Sequence, residues 1–259
     1  MTHSPHDYPH LVTRWRKVAS RAGLRLRKLT TAGGFDHFYL QSPALDEAGG
    51  IYISAGIHGD EAAATEGLVL WAERNVRRLE KLPLLLFPCL NPWGLAGNTR
   101  YDGAGRDLNR LFHNDATPVI GAVHRLIAGR RFALALQLHE DYDGLGLYLY
   151  EVQRGSARWG EALLVAAAPH ITIDPRRRID GRIAKDGLIR RRVDHRRFAR
   201  IGYPEALWLH MHHSRRTFTI ETPSEFALGD RVRAQVAIIE AAVSMVVNES
   251  AASASDQHS

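Results

Sequence analysis

Short apolar runs alternate with stretches of helical periodicity along most of the chain. Three runs consist largely of aliphatic or aromatic residues and predict buried strands: IYISAGI (51–57), LPLLLFPCL (82–90) and FALALQL (132–138). A shorter run, TFTIE (217–221), predicts a fourth strand. The segments 62–79 and 119–128 have the apolar spacing of amphipathic helices. This alternation predicts an α/β fold with a mixed, mostly parallel central sheet and helices on both faces.

The remaining pattern predicts one domain with less ordered ends. Four further elements are expected: a pair of edge strands at 24–30 and 37–42, and helices at 157–168 and 230–247. The first 20 residues look loosely ordered, and 251–259 form a polar tail. The basic stretch 174–200 looks irregular, with Gly181 and Gly187 as breaks. We therefore expect a single domain over residues 1–250.

Composition is that of a soluble globular protein, with 45% hydrophobic and 24% charged residues. No apolar run reaches the roughly 18 residues that a membrane span needs. The N-terminus has no apolar stretch that would indicate a secretory signal. Cys89 is the only cysteine, so no internal disulfide can form. We expect a reducing compartment, most simply the cytoplasm.

Chemically reactive side chains occur where the predicted strands end. His58 follows the first buried strand, His139 follows the third, and Glu221 ends the fourth. In open α/β sheets, ligands bind at the carboxyl ends of the strands. We therefore expect these three side chains to lie at one edge of the sheet.

The sequence HGDE (58–61) contains a spaced pair of potential metal ligands. Gly59 and Asp60 suit a strand-to-helix turn, the first by its flexibility and the second as a capping residue. That turn does not require His58 or Glu61, whose imidazole and carboxylate can reach one point across it. A capped helix beside a chance histidine is the plainer alternative. His139 would complete a His₂Glu set, which is a common ligand set of catalytic zinc.

Hydrolysis at such a metal also needs a general base. Glu221 is the candidate, because a buried strand ends there and Pro223 cannot continue a strand ladder. Glu225 is its local competitor. Glu140 and Asp141 could instead orient the His139 imidazole.

The loop RYDGAGRDLNR (100–110) contains donors that suit a carboxylate. Guanidinium groups and an amide together can hold both carboxylate oxygens. A further arginine could stabilise an oxyanion. The candidates are Arg100, Arg106, Asn109 and Arg110. A simply solvated loop is the alternative.

Four motifs in order resemble the zinc carboxypeptidase superfamily. They are HGDE (58–61), DLNR (107–110), LQLHED (136–141) and TFTIETPS (217–224). Their order is most similar to the compact branch that contains succinylglutamate desuccinylase and aspartoacylase. The resemblance covers roughly residues 51–225 and implies the zinc carboxypeptidase-like fold.

The resemblance also implies a role for each matched residue. It implies one zinc ion per chain, held by His58, Glu61 and His139. Glu221 would be the catalytic glutamate that takes a proton from water and passes it to the leaving amine. Substrate contacts would come from Asn109 and Arg110 at its carboxylate, Arg100 or Arg106 at the scissile carbonyl, and Tyr203 as the nearest candidate for a mobile tyrosine.

The activity implied is hydrolysis of an amide bond next to a free carboxylate. The substrate would be a small carboxylate-bearing molecule, either a short peptide cleaved by a metallocarboxypeptidase or an N-acyl amino acid cleaved by a deacylase. Fewer residues separate Glu61 from His139 than in the large digestive carboxypeptidases. The specificity pockets of those enzymes should therefore not be transferred. The oligomeric state is not predicted.

The basic stretch supports a rival function of a different class. Residues 174–200 contain eleven Lys or Arg and four Asp, a pattern that could bind nucleic acid by neutralising phosphates. Phe198 is the only aromatic residue in this stretch, which argues against base stacking. We expect a solvated face or a region that steers an acidic substrate instead. A second metal at His210 and His212, which alternation on a strand would place on one face, is a weaker alternative.

Overall fold

The computed structural model describes residues 4–46, 49–115, 117–153, 158–191, 193 and 203–256. The α-helices in these residues are α1 (Tyr8–Arg21), α2 (Ala62–Arg74), α3 (Pro92–Gly97), α4 (Pro118–Ile127), α5 (Gly160–Ala167), α6 (Glu205–His212) and α7 (Leu228–Asp256). The strands are β1 (Leu26–Ala32), β2 (Phe35–Gln41), β3 (Ile51–Ala55), β4 (Leu84–Phe87), β5 (Leu134–Asp141), β6 (Tyr148–Gln153), β7 (Arg178–Ile179), β8 (Arg182–Ile183), β9 (Leu188–Arg190) and β10 (Arg216–Pro223).

Eight strands form one mixed sheet in the order β1-β2-β4-β3-β5-β10-β6-β9. The four central strands β4, β3, β5 and β10 are parallel to one another. Strand β2 pairs antiparallel with both β1 and β4, and β6 pairs antiparallel with β10. The predicted α/β class with a mixed, mostly parallel sheet is therefore confirmed. Of the two expected edge strands, β1 lies at the edge and β2 lies inside it.

Helices cover both faces of the sheet, because the central strands are apolar on both sides. Ile51 and Ile53 of β3 point into a core formed with α1, α2, α5 and α7. Tyr52, between them, points to the opposite face and packs in a second core with α4 and α6. Strands buried on both faces read as continuous apolar runs, which explains why the sequence pattern located them.

Residues Tyr8–Arg21 form a helix within the segment that the sequence analysis expected to be loosely ordered. Helix α1 buries Leu11, Trp15 and Val18 against the first core. Asp7 caps this helix by accepting a hydrogen bond from the backbone N–H of His10 at 2.9 Å. These apolar positions recur at three- and four-residue intervals, so the helical signal was present but was obscured by the polar residues before it.

The basic stretch is also more regular than predicted. Strands β7 and β8 form a hairpin whose turn residues, Asp180 and Gly181, have φ values of +50° and +70°. Two positive φ values in an Asp-Gly pair are typical of a two-residue type I′ turn. Strand β9 then joins the main sheet beside β6. The rest of the stretch, residue 192 and residues 194–200, lies outside the described residues.

The closing helix is longer than expected and continues to Asp256, into the predicted polar tail. The domain bounds 1–250 and 251–259 stay predictions. Among the described residues, no helix combines the length and the apolar character that crossing a bilayer would need.

Strand β2 contributes a buried histidine that should make stability depend on pH. Burial lowers the pKa of His37 from its ordinary value of 6.5 to about 4. The folded protein therefore keeps His37 neutral where the unfolded chain protonates it, so its contribution is lost as pH falls from 6.5 towards 4. When the pH is lowered from about 7 to about 5, we expect the loss of this contribution to reduce the free energy of unfolding by about 2 kcal/mol.

Urea unfolding of the wild type and of His37→Gln at both pH values measures this contribution. Other groups titrate equally in the two proteins, so their effects cancel in the difference. An identical pH dependence in the two proteins would contradict the prediction.

Candidate active site

Adjacent strands bring the predicted residues to one edge of the sheet. His139 of β5 and Glu221 of β10 stand directly opposite each other in the parallel register. Both lie inside their strands, because β5 and β10 extend two residues past them. His58 follows β3, the neighbour of β5 on its other side. The expectation that these side chains share one edge is confirmed.

His58, Glu61 and His139 form a buried cluster with converging ligand atoms. His58 Nδ1 lies 2.5 Å from Glu61 Oε1, and His139 Nδ1 lies 2.8 Å from Glu61 Oε2. One ligand atom from each residue can be chosen so that all three lie within 4.8 Å of one another. Two imidazole nitrogens and one carboxylate fit catalytic zinc, which keeps a further position open.

The charges of the cluster are arranged for a cation. Burial opposes protonation of His58, but Glu61 and Asp107 outweigh it and raise the pKa of His58 to about 9. Burial likewise opposes charge on Glu61, but the two histidines hold its pKa down to about 2. The pKa of His139 is raised, because the attraction of Glu61 exceeds the cost of burial. A metal ion binding here would replace protons held by the histidines.

Asp107 supports the cluster and was not assigned a role from the sequence. His58 Nε2 lies 3.3 Å from Asp107 Oδ1, and Arg100 donates two hydrogen bonds to Asp107 Oδ2 at 3.0 and 2.9 Å. This contact orients the His58 ring so that Nδ1 faces Glu61. The available signal was the first residue of DLNR, which lies two residues before Asn109.

The side chain that caps the start of helix α2 comes from Glu140 and not from the N-cap residue of the helix. The N-cap of α2 is Glu61, whose side chain makes no cap bond because it faces the cluster. Glu140 Oε1 instead accepts a hydrogen bond from the backbone N–H of Ala63 at 2.6 Å, while Arg231 of α7 pairs with its other oxygen. The sequence had suggested Asp60 as the cap, which is wrong.

Neither acidic residue after His139 makes a hydrogen bond to its ring within the described part of the chain. Glu140 serves α2, and Asp141 accepts a hydrogen bond from Tyr148 Oη at 2.9 Å. Gln235 Nε2 donates to the backbone carbonyl of His139 at 3.0 Å. The suggestion that Glu140 or Asp141 orients the imidazole directly is therefore wrong.

Position 59 requires glycine, because the backbone of Gly94 lies too close to leave room for a side chain. A Cβ at this position would lie 1.9 Å from the carbonyl carbon of Gly94 in α3. The Gly59 N–H also donates to Thr99 O at 3.1 Å. This contact holds the loop after α3, and Arg100 with it, against the metal-ligand turn.

The structure distinguishes the two candidate arginines. Arg100 Nη1 lies 3.2 Å from His58 Nδ1 and 3.8 Å from Glu61 Oε1. Arg106 makes two hydrogen bonds to Asp102 Oδ2, at 2.9 and 2.7 Å, and is part of neither the cluster nor the lining of the cavity beside it. Arg100 is therefore the arginine at the cluster.

A cavity of about 570 Å³ opens beside the cluster. Its lining includes the predicted residues Asn109, Arg110, His139 and Glu221. The other lining residues are Tyr150, Asp180, Arg182, Arg191, Pro204, Ala206 and Thr219. Asn109 Oδ1 accepts a hydrogen bond from the backbone N–H of Glu205 at 2.8 Å, which leaves the amide NH₂ to donate.

Glu221 has the environment of an acid–base group. Burial raises its pKa to about 8; the neighbouring His139 opposes the rise, and the carboxylates of Glu61, Asp141 and Asp180 add to it. A cation held by the cluster would lower this pKa again. Its sequence competitor, Glu225, is exposed beyond Pro223.

Tyr203 is not among the cavity residues. Its ring meets that of His113 edge-on at 5.7 Å and packs against Val152 and Leu207. Tyr150, which the sequence analysis missed, lines the cavity instead. His210 and His212 lie on helix α6 rather than on a strand, and the described residues contain no second group of metal ligands.

Several arginines of the basic stretch hold carboxylates of this chain. Arg176 pairs with Asp174, and Arg190 pairs with Glu151 and Glu161. Arg182 and Arg191 line the cavity. These contacts favour a structural and substrate-facing role over phosphate binding, although binding to nucleic acid stays an untested alternative.

The fold is carboxypeptidase-like, as comparison with solved structures shows. A candidate metallopeptidase from Shewanella amazonensis has a TM-score of 0.81 at 23% identity, over 93% of this chain and 94% of that one. A metallo-carboxypeptidase from Burkholderia cenocepacia has a TM-score of 0.67 at 15% identity, over 93% and 69%. One from Pseudomonas aeruginosa, in complex with (2-guanidinoethylmercapto)succinic acid, has a TM-score of 0.63 at 18% identity, over 90% and 68%.

Part of the chain also matches the sequence model of a protein family. Residues 48–173 match the succinylglutamate desuccinylase/aspartoacylase catalytic domain, and three of the four motifs lie within this range. Together with the similar solved structures, this match confirms the resemblance. No curated protein matches the chain significantly. The family match and the fold together support a hydrolase of the metallocarboxypeptidase or succinylglutamate desuccinylase/aspartoacylase type.

Proposed function

We propose that this protein is a zinc-dependent metallocarboxypeptidase that cleaves the last amide bond of short peptides. The observation that carries the proposal is the cavity itself. It joins a carboxylate-binding pair, Asn109 and Arg110, to the metal-ligand cluster through His139 and to a half-buried acid, Glu221. A substrate held by its free carboxylate would present the neighbouring amide to the cluster.

His58, Glu61 and His139 would hold the zinc ion. When bound there, zinc supplies Lewis-acid chemistry: it polarises a carbonyl and lowers the pKa of water. Asp107 fixes the ring of His58, and Glu140 holds the start of α2, which contains Glu61. The ligand set is therefore held in position by contacts from separate elements.

Asn109 and Arg110 provide the donors for the substrate's carboxylate. The Asn109 amide is fixed by its bond to Glu205 N–H, and Arg110 has no ion-pair partner among the residues that the structure describes. A guanidinium and an amide can together hold both oxygens of one carboxylate. Holding this end of the substrate fixes which amide reaches the reacting groups.

Glu221 and Arg100 would act on the scissile amide. Glu221 Oε takes a proton from the attacking water and returns it to the amide nitrogen as the C–N bond breaks. Arg100 can donate to the carbonyl oxygen as negative charge develops on it. Both groups stand beside the cluster, Glu221 opposite His139 in the register and Arg100 next to His58.

A second candidate function is the deacylation of N-acyl amino acids. The observation that favours it is the match of residues 48–173 to the succinylglutamate desuccinylase/aspartoacylase domain. The same groups would serve, since the bond broken is again an amide next to a carboxylate. The two functions differ in what occupies the acyl side of the bond.

A paired substrate screen tests the proposal. The zinc-loaded protein should hydrolyse N-blocked dipeptides with a free C-terminal carboxylate, and it should not hydrolyse their C-terminal amides, because Asn109 and Arg110 then lose their partner. The amides serve as matched controls. Faster cleavage of N-acetyl and N-succinyl amino acids than of any dipeptide would favour the deacylase. Equal cleavage of acids and amides would contradict both functions.

A further inference from the structure

A carboxyl group lies buried beside the cavity without a role in the proposed chemistry. Glu205 is the first residue of α6, and it is fully buried, whereas its neighbours Pro204 and Ala206 line the cavity. Burial raises the pKa of this carboxyl above its usual range, and the Tyr52 hydroxyl opposes the rise. Burying such a group costs free energy unless a hydrogen bond compensates it. The contacts of Glu205 therefore decide what it does.

Tyr52 of β3 supplies the compensating contact. Its Oη donates to Glu205 Oε1 at 2.6 Å. The Tyr52 ring is itself fully buried, with its centroid 5.1 Å from that of Phe87 and 5.5 Å from that of Phe132. Close packing of this kind leaves the ring one position, so its hydroxyl is a fixed point that holds the start of α6.

The backbone of Glu205 extends this contact to Asn109. The first N–H groups of a helix have no partner within it, so that of Glu205 is available to a side chain outside α6. Asn109 Oδ1 accepts a hydrogen bond from it at 2.8 Å. Asn109 begins a short 3₁₀ turn, Asn109–Leu111, which also contains Arg110. Tyr52, Glu205 and Asn109 thus form one connected series that ends at the cavity.

Strand β3 anchors this series and also leads to the metal-ligand cluster. Tyr52 lies on β3, and His58 follows the same strand. The positions of the cluster and of Asn109 are therefore both set from β3. A substrate would be held at its carboxylate and cleaved at the neighbouring amide, so the separation of these two points decides whether the amide reaches the reacting groups.

We infer that Tyr52 and Glu205 are positioning residues, which hold Asn109 where it meets the substrate's carboxylate and touch no substrate themselves. The inference rests on the proposed function, in which Asn109 and Arg110 bind that carboxylate. Both residues would act on substrate affinity and not on the chemical step, because other contacts hold the metal-ligand cluster.

Steady-state kinetics on N-benzoylglycyl-Phe test the inference. Tyr52→Phe keeps the packed ring and removes only the hydroxyl. It should raise KM by about 3- to 10-fold, the effect of losing one hydrogen bond, and change kcat by less than about twofold. Glu205→Gln keeps an acceptor for the Tyr52 hydroxyl, so its KM should stay within about twofold of the wild type.

Glu205→Leu removes the acceptor and should resemble Tyr52→Phe. Combining the two changes should add little, because both break the same hydrogen bond. If Glu205→Leu does not fold, Tyr52→Phe and Glu205→Gln still decide the question. A rise of KM in Glu205→Gln as large as that in Tyr52→Phe would overturn the inference.

Tyr8→Phe is the matched control, because it removes a hydroxyl from another buried tyrosine. Tyr8 belongs to the core on the opposite face of the sheet and does not line the cavity, and its Oη donates to the backbone carbonyl of Asp36. This variant should lose a comparable amount of stability in urea unfolding and keep the wild-type KM. An unchanged KM in Tyr52→Phe, or an equal rise in Tyr8→Phe, would contradict the positioning role.

A binding measurement keeps the inference separate from the proposed function. The zinc-loaded protein is titrated calorimetrically with 3-phenylpropanoate, a monocarboxylate without an amide to cleave. Its Kd should rise about 3- to 10-fold in Tyr52→Phe, at least as much in Asn109→Ala, and not in Tyr8→Phe. If the wild type cleaves peptides but Tyr52→Phe binds this carboxylate as the wild type does, the proposed function stands and the inference fails. If no amide is cleaved but binding depends on Tyr52 and Asn109, the proposed function fails and the positioning role stands.

Discussion

We expect Glu221→Gln to lower kcat by at least ~10²-fold on any peptide that the wild type hydrolyses, the usual effect of removing a positioned acid–base group. Glutamine keeps the size and polarity of the side chain but cannot take a proton from water. Because Glu221 is not one of the three clustered ligands, the variant should still bind zinc. KM should change little, since Asn109 and Arg110 remain.

Glu225→Gln is the matched control. It makes the same chemical change four residues further on, at an exposed position beyond Pro223. It should retain wild-type turnover. Zinc content and thermal unfolding of both variants show whether the sites are intact. Near-wild-type turnover in Glu221→Gln, or a large loss in Glu225→Gln, would show that the general base has been assigned wrongly.

Replacing one of the proposed metal ligands should lower peptide hydrolysis as strongly as Glu221→Gln does. Elemental analysis of the wild type after zinc reconstitution should give about one zinc per chain, as expected for a mononuclear catalytic site. His139→Ala leaves one imidazole and one carboxylate of the cluster, so zinc content and peptide hydrolysis should both fall to background. The pKa of Glu61, held down by His58 and His139, should also rise in this variant.

His212→Ala is the control histidine, since it lies exposed at the end of α6. It should keep both zinc and activity. A wild-type protein that takes up no zinc would end the metallohydrolase proposal. A second zinc per chain that disappears in His212→Ala would instead support the weaker alternative of a second metal site at the His210–His212 pair.

The sequence was sufficient to predict the central parallel strands of the sheet and the three residues that cluster at its edge. The central strands are buried on both faces, so their apolar runs are nearly uninterrupted. The sequence singles out three candidate ligands because each lies at or beside the end of such a run. They are His58, Glu61 and His139, and all three are buried. Their convergence then follows from the parallel arrangement of β3 and β5.

The supporting contacts could not be predicted, because they depend on packing between distant segments. Glu140 caps α2 only because β5 and α2 meet at that point, and nothing near it in sequence indicates this. The β7–β8 hairpin is too short to show a hydrophobic period, so its Asp-Gly turn looked like a break. Tyr150 reaches the cavity through its position on β6, a strand that was not recognised.

The contact between Gly59 and Gly94 limits the substitutions that related sequences can accept at these two positions. Gly94 is itself confined, since a Cβ there would lie 2.4 Å from Asn91 Nδ2, the side chain that accepts from the Gly94 N–H at 2.9 Å through Oδ1. Neither glycine can mutate alone without moving backbone, and the Asn91 side chain holds Gly94 in place. HG-x-E (58–61) and NP-x-G (91–94) should therefore be inherited together, and the pair of motifs would be a more selective signature for finding relatives than the ligand motif alone.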